Sequence, residues 1–192
     1  MNRTELKAKA RATLGTNIFS NSWLLSVVVI LIVGAVLSIA NGISLVLVGI
    51  LSYAVAEYFK TLAREGQARF ESAFTVFKKD VGGTLVLGLL YTIFIALWSL
   101  LFVIPGIVKS YAYSMAFYLK TEHDDWDWKK CLDESQRLTS GHKMELFILD
   151  LSFIGWYIVG SLALGVGTLW VSSYHELTKI NYYEQLSAIV VE

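Results

Sequence analysis

The stretch from Ala12 to Ala56, ATLGTNIFSNSWLLSVVVILIVGAVLSIANGISLVLVGILSYAVA, holds 45 consecutive residues without Asp, Glu, Lys or Arg. About 20 apolar residues, rising 1.5 Å each, cross a hydrocarbon core of ~30 Å. The run is long enough for two crossings, and Asn41-Gly42 within it is a dipeptide that reverses a chain. Two more uncharged runs follow, 28 residues over 81–108 and 25 over 151–175. The 192-residue chain is 55% apolar and 17% charged, with mean hydropathy +0.56. Soluble domains carry about 25% charged residues. No soluble domain of this length could bury all three runs. The sequence therefore predicts a single all-α domain over 1–192, a polytopic transmembrane helical bundle.

Six spans are expected, at about 23–40, 43–62, 83–104, 107–121, 143–164 and 168–186. Pro105-Gly106 separates the third from the fourth, because proline lacks the N–H a helix needs. Gly165-Val166-Gly167 separates the fifth from the sixth, and the last segment reads either as a span or as a helix lying on the surface. The first run is expected to be a retained span rather than a cleaved signal peptide, since about 20 residues precede it and a second apolar run follows at once.

Of the 16 Lys and Arg, 14 fall in the N-terminal segment and the stretches 60–80 and 120–143. Basic residues stay cytoplasmic, which places the N-terminus and both long loops on that side of a bacterial cytoplasmic membrane. Each charged stretch offers a short amphipathic helix and a stop of small residues before a hairpin of two spans. The stops are Leu14-Gly15-Thr16-Asn17, Val81-Gly82-Gly83-Thr84 and Thr139-Ser140-Gly141-His142. In the third unit Trp128, Leu132, Ser135 and Leu138 share one helical face, opposite Lys129, Asp133 and Arg137.

Catalytic patterns are scarce. Cys131 and Arg137 have the spacing of a cysteine phosphatase, but Asp133 and Glu134 between them would repel a phosphate. His123, Asp124, Asp125 and Asp127 could be read as a metal cluster, yet an aspartate cap on the following helix is the better reading. Gly34, Ser38, Gly160 and Gly165 suit close helix packing. A lone cysteine excludes an internal disulfide, and a formal charge of zero implies no nucleic-acid partner. No catalytic, cofactor-binding or metal site is expected.

The informative residues are ionisable groups inside apolar segments, each costing about 2.5–3.5 kcal/mol at the membrane centre. These are Glu57, Lys109, Asp150, His175, Glu176 and Lys179. Ser172, His175, Glu176 and Lys179 recur at helical spacing as one polar stripe. Depth in the membrane suggests Lys109 paired with Glu176 and Asp150 with Lys179.

Two strings, Ile104 to Met115 (IPGIVKSYAYSM) and Gly141 to Trp156 (GHKMELFILDLSFIGW), are distinctive. With Gly165 to Val171 and Asn181 to Glu184, they resemble an uncharacterised bacterial family of integral membrane proteins, known only as a domain of unknown function. That family commonly has proline where this chain has Ser173. The resemblance implies a bacterial membrane protein and no particular reaction. The expected function is non-catalytic binding of membrane lipids, peptides or protein partners, with self-association. The alternative is a small transporter or channel using the polar groups as a path.

Overall fold

A computed structural model describes residues 2–15, 17–39, 44–67, 69–101, 103–162 and 165–191. These form ten α-helices and one 3-10 helix, with no strand among the described residues. The helices are α1 (Arg3–Leu14), α2 (Asn21–Ile39), α3 (Ser44–Glu65), α4 (Val81–Leu101), α5 (Val103–Tyr113), α6 (Ala116–Glu122), α7 (Trp128–Leu138), α8 (Lys143–Leu151), α9 (Ile154–Leu162) and α10 (Gly167–Val191); the 3-10 turn is Phe70–Lys78. Short helices occupy all three charged stretches, the second being the 3-10 segment. The Asn41-Gly42 reversal lies outside the described residues.

The six expected spans are not matched one for one. Among the described residues two helical stretches are long and apolar enough to cross a membrane, Val81–Ser99 and Lys143–Leu162, with Asn21–Val36 apolar but shorter. Only 17% and 22% of the two stretches is buried. The core helix of a soluble protein would be mostly covered. Here Ile93, Leu97 and Trp98 of α4, and Leu151, Ile154 and Leu162 of α8 and α9, face outward.

Two expected spans are broken, each for a visible reason. The stretch 107–121 divides into α5 and α6 at Ser114-Met115. There Ser135 Oγ of α7 donates to the Ala112 carbonyl at 2.8 Å and accepts from Met115 N–H at 3.2 Å, replacing ladder bonds. The stretch 143–164 breaks at Ser152-Phe153, where Lys7 Nζ of α1 donates to the Ser152 carbonyl at 3.2 Å. Further upstream, Pro105 lies inside a described helix, α5. The proline sits in the first turn of α5, where its missing N–H removes no helix bond.

Helix α10 is central to the bundle, packed by α1, α2, α3 and α9. Its Leu177, Thr178, Ile180 and Asn181 are fully buried. Two contacts join segments that a three-hairpin bundle would hold on opposite sides of a membrane. Trp170 Nε1 donates to the Ile18 carbonyl at 3.0 Å. Lys143 and Met144 share a groove with Ile104, Ile107 and Val108.

Gly49 of α3 and Gly88 of α4 meet backbone to backbone. A methyl group on Gly49 would collide with the Thr84 carbonyl, and one on Gly88 with the Gly49 backbone. Of the glycines expected at close approaches, Gly160 does meet Gly167, its Cβ position lying 2.9 Å from the Gly167 carbonyl carbon. Gly165 instead turns the chain at φ 78°. Gly34 sits on the exposed side of α2, and the Ser38 side chain lies outside the described residues.

Gly88→Ala should therefore separate α3 from α4 and cost about 1–3 kcal/mol by overpacking. Gly155→Ala, where an added methyl meets no atom within 4 Å, should be neutral or slightly stabilising. Melting temperatures in detergent check both, and equal losses would refute the crossing.

Candidate functional site

The polar stripe of α10 faces protein. His175 Nε2 lies 2.8 Å from Asp150 Oδ1, and its Nδ1 lies 3.2 Å from the Tyr157 hydroxyl. An ionised carboxylate only accepts, so Nε2 carries the proton, and in the neutral ring Nδ1 accepts from Tyr157. The second carboxylate oxygen of Asp150 accepts from the Tyr111 hydroxyl at 2.9 Å. Phe153 stacks on the imidazole with ring centroids 4.4 Å apart, and the Lys7 ammonium lies over the other ring at 4.1 Å from its centroid. Ser172 Oγ stands 3.5 Å from the Tyr157 hydroxyl. The result is a chain of bonded groups drawn from α5, α8, α9 and α10.

At the next position of α10, Glu176 accepts from the Tyr118 hydroxyl at 3.1 Å. Lys179 lines a cavity of about 370 Å³ together with Glu176, Tyr91 and Tyr118. The pairings expected from depth are not the ones observed. Asp150 pairs with His175 rather than Lys179. Lys109 donates to Gln136 of α7 at 2.8 Å, with its ammonium 5.2 Å from the Trp98 ring centroid, and takes no part in the α10 cluster. The reason is that α7 packs along α4 and α5, so a side chain placed by depth alone near α10 meets α7 first. Glu57 pairs within its own helix, with Lys60 Nζ at 2.8 Å.

A second polar knot joins the ends of four helices. Lys120, with a side chain 1% exposed, donates to Asp80 Oδ2 and to the carbonyls of Asp124 and Trp126, each at 2.8 Å. Asp80 also caps α4, accepting from Gly83 N–H at 2.8 Å. Arg64 of α3 pairs with both Glu122 and Glu184, and the Tyr183 hydroxyl donates to Glu122 at 2.6 Å. Nothing in the spacing of Lys120 marked it out from the other basic loop residues.

The remaining motifs resolve as structure. Asp127 caps α7 by accepting from Lys130 N–H at 2.9 Å, and His123 stacks flat on Trp126 with centroids 3.8 Å apart. Among the described residues no group of three His, Cys, Asp or Glu is close enough to hold a metal. Cys131 is buried, and burial pushes its thiol up to about 11. Arg137 is exposed and pairs with Glu134 at 2.7 Å.

Breaking the buried pair should cost more than deleting it. Asp150→Leu and His175→Phe should each lose about 2 kcal/mol, and the double variant should regain about 1 kcal/mol of the summed loss. Strictly additive melting-temperature losses would refute coupling. Asp80 gives a pH signature. The hydrogen bond from Lys120, and next that from Gly83, holds its carboxyl below the ordinary value. A depressed carboxyl contributes stability that is present above its ordinary value and lost as pH falls through the folded one. Below about pH 4, wild type should lose melting temperature faster than Asp80→Asn. Parallel acid curves for the two proteins would exclude this role.

Searches of curated proteins and of solved structures find no match to this chain. Residues 100–189, which contain the whole α10 cluster and Lys120 but neither Glu57 nor Asp80, match the family described as Protein of unknown function (DUF975).

Proposed function

We propose that the chain is a multi-pass protein of a bacterial cytoplasmic membrane. In this reading it binds lipid, peptide or protein partners without catalysing a reaction, and it self-associates. The observation that carries the reading is the inversion of polarity. The apolar stretches Val81–Ser99 and Lys143–Leu162 bury only 17% and 22% of their residues, while the Asp150–His175–Tyr157 group is held inside. Water would not tolerate such an exterior, and hydrocarbon would not tolerate those groups unpaired. The basic residues of the N-terminal segment and of 60–80 favour a cytoplasmic N-terminus.

The alternative is a small transporter or channel, favoured by the cavity beside Glu176 and Lys179. A bonded interior argues for the binding role, since Asp150 and His175 already satisfy one another.

The chain should remain in membranes washed with alkaline carbonate, and release into the wash would overturn the membrane reading. In a background lacking Cys131, Gln67→Cys and Ser187→Cys should label from the same face, as the Arg64–Glu184 pair at 2.9 Å suggests. Cysteines at 172 and 175 should resist a water-soluble thiol reagent. Strong labelling there, with 170, 174 and 177 spared and solute flux in liposomes, would favour transport instead.

A further inference from the structure

The cavity beside α10 has a mixed lining. Lys179, Glu176 and Tyr91 share it with Ile30 and Val33 of α2 and Val48 and Leu51 of α3. Among the described residues no hydrogen bond or ion pair reaches the Lys179 ammonium or the Tyr91 hydroxyl. Both are donors awaiting an acceptor. Glu176 is engaged through one oxygen only, by Tyr118, which leaves the other to accept. Val33 and Leu51 also line a second cavity of about 290 Å³, whose remaining wall is apolar and includes Phe70, Phe74 and Phe77. The chamber of about 370 Å³ that holds Lys179 and Glu176 and the apolar slot thus have two side chains in common.

Volumes of this order hold small ligands. One cation with one carboxylate in the same lining disfavours a purely anionic guest, because the acid would repel it. A purely apolar guest would leave the ammonium unpaired in a dry site. A guest carrying both charges answers both groups.

We propose that this chamber binds the zwitterionic head of a membrane amphiphile. Its anionic group pairs with Lys179 and Tyr91, its amine pairs with Glu176, and its chain passes Val33 and Leu51 into the apolar slot. The proposal rests on the membrane-binding reading above and names the ligand class and the site.

The test uses the full chain purified in a neutral detergent. Four probes are compared by native mass spectrometry and thermal shift: lysophosphatidylethanolamine, lysophosphatidylglycerol, monoacylglycerol and tail-free glycerophosphoethanolamine. The zwitterionic lysolipid should bind about tenfold tighter than each of the others, a difference of about 1.4 kcal/mol. Lys179→Met and Glu176→Gln should each remove that preference. Leu51→Trp, which blocks the shared wall and keeps both charges, should abolish binding with little change in melting temperature. Equal binding of the three lipids would overturn the proposal. So would equal binding of the tail-free head group, which would mark a soluble zwitterion as the guest, and so would full binding by a folded Leu51→Trp. Failure of the lysolipid with the chain still held in carbonate-washed membranes would remove the site and leave the membrane reading intact.

Discussion

Helix α10 carries Ser172, His175, Glu176 and Lys179 into the middle of the bundle, and the helices around it answer the first three. A buried ionisable group without a partner costs several kcal/mol, so each neighbour of this helix is constrained in what it presents. Asp150 and Tyr157 meet His175, Tyr118 meets Glu176, and Tyr111 donates to the far oxygen of Asp150. Three of these four groups are tyrosines. A phenol offers a hydroxyl at the end of a large apolar ring, which lets an apolar helix supply a hydrogen bond without carrying a charge of its own.

The amphipathic helices do a related task at the breaks in the apolar ones. Where α5 gives way to α6, Ser135 of α7 takes over the freed peptide groups; where α8 gives way to α9, Lys7 of α1 does so. Peptide groups in an apolar surrounding need partners at all times. The breaks and the amphipathic helices thus depend on one another. Loss of α1 or α7 would leave a carbonyl without its partner as well as an uncovered face. The Gly49–Gly88 crossing does for backbone approach what those side chains do for polarity, bringing α3 and α4 close enough to dispense with side chains between them.

Helicity, the charged stretches and the buried face of α7 were legible in the sequence because each rests on local periodicity. Leu132, Ser135 and Leu138 are buried and Lys129, Asp133 and Arg137 exposed, as their spacing requires. The polar stripe of α10 was legible for the same reason. Its partners were not. Apolarity along the chain says that a group such as Lys109 needs a partner, but not which helix brings one. Depth counted along straight spans failed because 107–121 and 143–164 are not straight, and the breaks depend on side chains more than 20 positions away, Ser135 reaching Ala112 and Lys7 reaching Ser152. The number of spans suffered similarly, since uncharged length measures what could cross a membrane and not how the pieces pack. Gly49 and Gly88 were hidden among other small residues, where one glycine at a crossing looks like any other.

The single thiol has a consequence of another kind. Cys131 is fully buried, and burial pushes its thiol up to about 11, so at neutral pH the reactive thiolate is strongly disfavoured. Its side chain is packed under α7, the helix that also holds the α5–α6 break. Alkylation at this position can proceed at an appreciable rate only after α7 lifts away. The native cysteine is therefore a built-in clock for local opening, reporting how often the bundle releases the helix that mends one of its broken ladders.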